Sequence, residues 1–259
     1  MAERLQATIN CASKGQSALV LLSGGLNSCC LLASVRESYK EVHAISFNYG
    51  QKNIRELRFA EVLAALSEVK SHRVIKLRTL PKLTEPIPPQ KIGSAVPEAS
   101  SFVDVMLYFF IGAAGVIARS LGIRDVFLGV AQCPKGSFLT ANDRLRIAGE
   151  CARAISISMD YEIKIHTPFL TMNKAELITG AIKSNRLDWL GDTHSCFQSK
   201  RYICGKCSGC LSRAEAFKSV GIEDPLHKGL CGKNLHPHTC KRYYASWWRR
   251  QVRGERISL

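Results

Sequence analysis

The sequence contains no apolar run long enough to cross a membrane. Its longest apolar stretch, residues 105–118, is interrupted by glycines and is shorter than the roughly 20 residues that a helical span needs. The N-terminal stretch MAERLQATINCASKGQ is polar and charged and lacks the apolar core of a signal peptide. We therefore expect a soluble, cytoplasmic protein without a membrane partner.

Acidic residues are scarce compared with basic ones. The chain has 21 Asp and Glu against 36 Lys and Arg, a formal net charge of +15. This excess indicates an anionic partner, which could be nucleic acid, a nucleotide or phosphate-rich surroundings.

Cysteine is plentiful, with 11 residues. Without a secretory signal, so many cysteines favour metal ligation and buried thiols over a disulfide framework.

Short apolar runs alternate with longer stretches of helical periodicity, and the chain is long enough to bury a full core. Such alternation predicts an α/β fold with a doubly wound parallel sheet and helices on both faces. The predicted strands are residues 18–22, 42–47, 73–77, 125–129 and 162–166. The predicted helices are residues 27–37, 54–67, 102–121, 143–158, 174–183 and 212–219.

Three units are expected along the chain: residues 1–190 as the main domain, residues 191–225 as a cysteine knuckle and helix, and residues 226–259 as an extension. Inside the main domain, the pattern lapses over residues 78–100, where five of the nine prolines fall. A loop of this length is either a functional lid or a tolerated insertion.

A glycine pair follows the first predicted strand, in the stretch LLSGGLNS. In an open α/β sheet, the first strand-to-helix turn is the usual phosphate site. Gly24 and Gly25 would let backbone N–H groups approach a phosphate, Ser23 and Ser28 could add hydroxyl donors, and the helix near Asn27 would add its positive end. A tight structural turn explains a lone SGG equally well. The pattern is neither GxxxxGK[ST] nor GxGxxG, which disfavours a P-loop kinase or a Rossmann dehydrogenase.

Four cysteines with a C-x7-C-x2-C-x2-C spacing predict a structural zinc site at Cys196, Cys204, Cys207 and Cys210. Four thiolates close a tetrahedral shell, so the metal should hold the fold together and not activate water. An iron–sulfur cluster is the alternative that the knuckle-before-helix pattern disfavours. Further on, the stretch CGKNLHPHTC offers a second set that is either a metal site or solvated side chains, namely Cys231, His236, His238 and Cys240.

Together, these motifs resemble the 7-cyano-7-deazaguanine synthase family (QueC) of PP-loop ATP pyrophosphatases. The resemblance covers roughly residues 17–225 and is carried by LLSGGLNS, VHAISFNYGQ, HTPFLTMNKAEL and SCFQSKRYICGKCSGCLSRAEAFKSVGIEDP. It implies a PP-loop fold of the adenine nucleotide alpha hydrolase type. It also implies an enzyme that adenylates the carboxylate of 7-carboxy-7-deazaguanine with ATP, releases pyrophosphate and passes the acyl group to ammonia, after which a second activation dehydrates the amide to the nitrile.

The resemblance also implies roles for individual residues. Lys174, at the start of a helix, would neutralise charge that develops on the phosphates. A solvent-facing helix lysine is the alternative interpretation. Ser23, Gly24, Gly25, Asn27 and Ser28 would cradle the pyrophosphate of ATP, with Mg²⁺ beside it. The border of the nucleotide site would be formed by Phe47, Tyr49, Gly50, Gln51 and Gly129.

The chain departs from the family pattern at several positions. Asn27 stands where the family has Asp, which removes a charge that could help hold Mg²⁺, so we expect retained ATP binding and slowed adenylation. Ala99 and Ser100 replace the Arg and Asn of the family's VPxRN, and AQCPKGSFLTAND replaces an acidic loop after the fourth strand. These changes fall around the substrate pocket. The identity of the carboxylic acid that is activated, and of the nucleophile that attacks it, therefore stays open.

Two further interpretations stay open. The chain could be a paralogue of the kind found in antiphage defence, which joins a deazaguanine to a protein amine. It could also be a zinc-bearing nucleic-acid binder with a vestigial ATP site, because residues 226–259 hold eight Lys or Arg against one Glu, interleaved with aromatic residues. The same aromatic residues could instead pack on the domain or on a second copy of the chain in a homodimer.

Overall fold

A five-stranded, fully parallel sheet forms the centre of the protein in a computed structural model that describes residues 17–51, 54–77, 100–132, 139–198 and 204–225. The strand order is β3-β2-β1-β4-β5. The strands are β1 (Ser17–Leu21), β2 (Glu41–Asn48), β3 (Ser71–Lys76), β4 (Asp125–Leu128) and β5 (Lys164–His166). The predicted doubly wound parallel sheet is therefore confirmed, and each strand lies within a few residues of its predicted position.

Six α-helices are found in the described ranges, and they alternate with the strands as predicted. The helices are α1 (Leu26–Ser38), α2 (Glu56–Leu66), α3 (Ser100–Ser120), α4 (Ala141–Met159), α5 (Lys174–Lys183) and α6 (Ser208–Val220). Thr140 and Asn173 form capping boxes at the starts of α4 and α5, which fixes where these helices begin. A short 3₁₀ helix at Asp188–Asp192 precedes the cysteine segment.

The sheet separates two hydrophobic cores, because alternate residues of β1 point to opposite faces. Ala18 and Val20 belong to the core under α1, α2, α5 and α6, whereas Leu19 belongs to the core under α3 and α4. All three side chains are fully buried. None of the described helices is both long and apolar enough to cross a membrane.

Strand β1 marks the point at which the chain reverses its direction of winding. It pairs with β2 on one side and with β4 on the other, both in parallel. In an open α/β sheet, the carboxyl ends of two such strands diverge and leave a crevice where ligands bind. This places the turn after β1, which contains the glycine pair, at the topological switch point.

Several predicted features lie outside the described residues. They include the proline-rich residues 78–99, the side chains of residues 100–106, Cys133 with its neighbours to residue 138, and the whole of residues 226–259. The interpretation of these segments as a lid, a substrate pocket, a second metal site or a nucleic-acid contact therefore stays a prediction.

Candidate active site and metal centre

Gly24 is the residue that lets the turn after β1 pack against helix α2. Its φ angle is +85°, in the left-handed region that favours glycine. A Cβ atom at this position would lie 2.0 Å from the backbone oxygen of Glu56 and 2.7 Å from the backbone nitrogen of Ala60. Because both neighbours are backbone atoms of α2, no side-chain movement could relieve the clash.

Gly25 caps the amino end of α1 without offering a side chain. Its carbonyl accepts the first helical hydrogen bond, from the N–H of Cys29 at 3.1 Å. The amides of the first helical turn have no intrahelical acceptor, and this turn contains no acidic residue that would offset its positive end. The amino end of α1 is therefore suited to an anionic ligand.

The hydroxyl groups of Ser23 and Ser28 form hydrogen bonds within the loop. The Ser28 hydroxyl donates to the Gly25 carbonyl at 3.0 Å and accepts the Ser23 N–H at 3.2 Å. The two hydroxyl oxygens lie 3.1 Å apart, and Ser23 Oγ also accepts the Gly25 N–H at 3.2 Å. In this arrangement the serines shape the turn, and the N–H groups of Ser23 and Gly25 already have acceptors within it. A ligand would therefore meet mainly the backbone N–H groups of the first turn of α1.

Gly129 closes the other side of the crevice, just after β4. A Cβ atom there would lie 3.1 Å from Ser28 Cα and 3.3 Å from the backbone carbon of Asn27. The end of β4 and the start of α1 are therefore in close contact. Asn27 is partly exposed at the second position of α1, where an aspartate would have added a negative charge.

The predicted border residues Phe47 and Tyr49, at the end of β2, pack against helix α3. The rings of Phe47 and Tyr49 pack on Phe110 of α3, with ring centroids 4.9 and 5.5 Å apart. Burial, together with the nearby Glu56 carboxylate, raises the pKa of Tyr49 to about 12. These rings therefore belong to the hydrophobic core between the sheet and α3.

Gln51 joins the segment after β2 to helix α2. Its Nε2 donates to the Phe47 carbonyl at 3.1 Å and to Glu56 Oε1 at 3.3 Å. Gly50 turns the chain between them with a φ of +81°. Because the backbone oxygen of Glu56 also faces Gly24, the two predicted halves of the nucleotide site meet at the start of α2.

Lys174 is the first residue of α5, as predicted, and its ammonium group contacts α6. Within the described structure, its Nζ donates to Ser212 Oγ and not to the glycine loop. Burial, reinforced by the Arg213 guanidinium, lowers the pKa of Lys174. The predicted phosphate-neutralising lysine therefore lies close to the cysteine cluster.

The four predicted zinc ligands come together. Their sulfur atoms all lie within 4.8 Å of one another, with 3.5 Å between Cys207 Sγ and Cys210 Sγ and 3.9 Å between Cys204 Sγ and Cys210 Sγ. A tetrahedral Zn²⁺ with Zn–S bonds of about 2.3 Å requires sulfur atoms about 3.8 Å apart. The cluster is therefore of the size that zinc needs.

Backbone amides inside the cluster point at the sulfur atoms. The Cys204 N–H donates to Cys196 Sγ at 3.5 Å, and the Cys207 N–H donates to Cys204 Sγ at 3.3 Å. Burial acts to raise the pKa of the Cys207 and Cys210 thiols. Hydrogen bonds from backbone and neighbouring thiol groups lower the pKa of Cys207, whereas the hydrogen bond between the two thiols raises that of Cys210 further. A lowered thiol pKa favours the thiolate that binds metal.

Sequence reasoning missed the residues that join the cluster to the glycine loop. The His194 N–H donates to the Gly24 carbonyl at 2.9 Å, and its imidazole Nε2 lies 2.9 Å from the carbonyl oxygen of Cys196. Arg213 of α6 is almost fully buried and donates to Thr193 Oγ1 at 2.6 Å. The position of His194 two residues before a predicted zinc ligand was the available signal.

Comparison with known proteins identifies the family. The family model described as "Queuosine biosynthesis protein QueC" matches residues 17–221. The 7-cyano-7-deazaguanine synthase of Laribacter hongkongensis is 31% identical over 224 residues, which cover 84% of this chain and 96% of that protein. The 7-cyano-7-deazaguanine synthase of Rhodopirellula baltica is 33% identical over 80% of this chain and 90% of its own length.

Among solved structures, an NH3-dependent NAD synthetase from Campylobacter jejuni aligns with a TM-score of 0.45 and 14% identity, covering 100% of this chain and 96% of that one. This likeness is too low to bear on function. The match to the family model extends over most of the chain and includes the glycine loop and all four clustered cysteines. The chain therefore belongs to the QueC family and is an ATP-dependent enzyme of the ligase class.

Proposed function

We propose that the chain binds ATP at the glycine loop and adenylates the carboxylate of a 7-deazaguanine, 7-carboxy-7-deazaguanine, with release of pyrophosphate. The acyl group then passes to a nitrogen nucleophile, ammonia, and AMP departs. A second ATP adenylates the amide oxygen with release of pyrophosphate, and loss of a second AMP gives the nitrile of 7-cyano-7-deazaguanine. The observation that carries the proposal is the position of Gly24 and Gly25 at the topological switch point of a QueC-family chain.

In this proposal, the amino end of α1 stabilises the departing pyrophosphate. The free amides of the first helical turn and the helix dipole present partial positive charge where negative charge increases during adenylation. The interlocked Ser23 and Ser28 keep these amides in place before the substrate arrives. Such a preorganised site does not have to reorganise during the reaction, which is the source of its catalytic effect.

Lys174 enters the proposal as a second source of positive charge. To reach a phosphate, its Nζ would have to leave Ser212 Oγ. Because burial and Arg213 already disfavour its charged form in this place, an arriving phosphate would recover the lost electrostatic stability. Lys174 would then pair with the phosphates of bound ATP and with the additional negative charge that develops on them in the transition state.

Asn27 can accept or donate a hydrogen bond but cannot supply a carboxylate for Mg²⁺. We therefore propose that this chain binds ATP and adenylates slowly compared with a chain that has Asp at this position. Zn²⁺ in the cysteine cluster would hold α6 and the preceding segment in place, because four thiolates leave no coordination position for a reactant.

A reaction with ATP, Mg²⁺, 7-carboxy-7-deazaguanine and ammonia tests the proposal. Pyrophosphate release and mass spectrometry should detect the amide or the nitrile. Gly24→Ala should abolish pyrophosphate release, because its Cβ would clash with the α2 backbone. Gly122→Ala is the matched control: Gly122 also has a positive φ, +69°, but a Cβ there meets open space.

The alternative acceptors give different products in the same assay. Pyrophosphate without a small-molecule product would favour a protein amine as the nucleophile. No pyrophosphate release with any nucleophile would contradict the proposal and favour the nucleic-acid interpretation of residues 226–259.

A further inference from the structure

We propose that His194 is a positioning residue that couples the cysteine metal site to the glycine loop. Zinc loading would strengthen ATP binding, and bound ATP would in turn strengthen zinc retention. Because it places ATP at the glycine loop, this coupling rests on the proposed function. It adds a regulatory link between the two sites.

The backbone of His194 forms one wall of the glycine loop. Its N–H donates to the Gly24 carbonyl at 2.9 Å. Its carbonyl oxygen lies 3.5 Å from the point that a Cβ of Gly25 would occupy. His194 is therefore hydrogen-bonded to Gly24 and lies beside Gly25, so a displacement of His194 would move or loosen the loop.

The side chain of His194 reaches in the other direction, to the metal site. Its Nε2 lies 2.9 Å from the carbonyl oxygen of Cys196. Since a carbonyl oxygen only accepts, Nε2 must carry the proton and donate. Cys196 is one of the four clustered thiols, and its sulfur also accepts the N–H of Cys204.

Arg213 holds both sequence neighbours of His194. Its guanidinium donates to Thr193 Oγ1 at 2.6 Å and to Ser195 Oγ at 3.3 Å. Arg213 belongs to α6, which begins directly after Cys207 and contains Cys210. Zinc binding, by fixing the start of α6, would therefore also fix the segment on either side of His194.

Helix α2 completes the connection. The imidazole of His194 stacks on Phe59 of α2, with ring centroids 5.5 Å apart and an interplanar angle of 23°. The same helix supplies the Glu56 backbone oxygen that faces Gly24. Helix α2 thus contacts both His194 and the glycine loop. If zinc binding changes the affinity for ATP, bound ATP must change the affinity for zinc by the same factor.

Equilibrium zinc binding to the full chain, measured with a competing chelator in excess Mg²⁺ with and without ATP, tests the coupling. We expect saturating ATP to raise the zinc affinity about tenfold. His194→Ala should keep zinc but lose the effect of ATP. His194→Gln, which keeps a donor near the Nε2 position, should recover part of it. His43→Ala is a matched control, because His43 contacts Ser71 at the opposite end of the sheet.

Calorimetric titration of ATP into zinc-loaded and zinc-stripped protein gives the reciprocal measurement, with an expected loss of about tenfold in affinity on stripping. This measurement decides the matter even if His194→Ala fails to retain zinc. Equal ATP affinities in the two forms would overturn the coupling and leave the ATP site standing. An unchanged ATP effect in His194→Ala would also overturn it. Absence of ATP binding to the zinc-loaded protein would overturn both the coupling and the proposed function.

Discussion

Arg213 and Asp224 form a bidentate ion pair in the interior of the protein. Arg213 Nε donates to Asp224 Oδ2 at 2.7 Å, and its Nη2 donates to Asp224 Oδ1 at 2.8 Å. The side chain of Arg213 is 3% exposed and that of Asp224 is 10% exposed. Asp224 lies shortly after the end of α6, so this pair ties the chain after the helix back onto the helix.

Asp224→Asn should strongly destabilise the protein, because it leaves the Arg213 charge buried without its counter-ion. We expect a loss of about 3–5 kcal/mol in the free energy of unfolding. Urea denaturation of the zinc-loaded protein measures it. Glu162→Gln is the control, since Glu162 contacts Arg124 and Lys164 only at the surface and its loss should change little. Equal effects of the two substitutions would show that the buried pair contributes no more than an exposed one.

Gly209→Ala should release zinc. A Cβ at Gly209 would lie 2.1 Å from the backbone oxygen of Ser195 and 2.9 Å from the ring of Phe197. The segment that carries Cys196 would have to move away from α6, which separates one ligand from the other three. Metal analysis after gel filtration should show a clear loss of bound zinc.

Gly180→Ala provides the comparison for that substitution. Gly180 also lies inside a helix, α5, but a Cβ there meets nothing within 4 Å. Full zinc content is expected, together with a gain in stability of roughly 0.5–1 kcal/mol from the better helix former. Full zinc content in Gly209→Ala as well would mean that Ser195 moves without disturbing the cluster.

The fold was predictable from the sequence because each element has a strong local pattern. The apolar runs of β1 and β4 are buried on both faces of the sheet, and such strands read as continuous hydrophobic segments. The start of α6 was harder to predict from the sequence, because a glycine such as Gly209 near two cysteines is typical of a loop. Glycine belongs in that helix because its missing Cβ lets Ser195 approach, and this is a tertiary contact.

The cysteine cluster and the turn after β1 could be predicted from the sequence, but the contacts that connect them could not. Glycine spacing and cysteine spacing are local signals, and they indicated the loop and the cluster. The contacts of His194 with Gly24 and of Lys174 with Ser212 join residues far apart in sequence. No periodicity or spacing encodes such pairs, so the placement of Lys174 beside α6 could not be foreseen.

Asn27→Asp should increase the rate of adenylation. A carboxylate at the second position of α1 would add a hard oxygen ligand for Mg²⁺ close to the phosphates, which an amide provides only weakly. We expect a gain of about tenfold in pyrophosphate release, equivalent to about 1.4 kcal/mol in the barrier. ATP affinity measured without the carboxylate substrate should change much less. An unchanged rate would mean that the amide does not limit the reaction.

His72 should make the protein sensitive to mild acid. It lies on β3 with its Nε2 2.7 Å from Ser46 Oγ, and Ser46 Oγ donates in turn to the Leu22 carbonyl just before the glycine loop. Burial lowers the pKa of His72 to about 4, against about 6.5 for an exposed histidine. The folded protein therefore holds His72 neutral.

Because the folded-state pKa lies below the unfolded one, the stabilising contribution is complete above pH 6.5 and is lost as the pH falls toward 4. The loss should be on the order of 2–3 kcal/mol across this interval. His72→Gln removes the titrating group and keeps a hydrogen-bond donor for Ser46. The stability of the His72→Gln variant relative to the parent chain should therefore increase as the pH falls from 6.5 to 4. His43→Gln should show a smaller pH dependence, because His43 is less deeply buried. Parallel curves for the parent chain and His72→Gln would show that the folded protein does not hold a partly buried His72 in its neutral form.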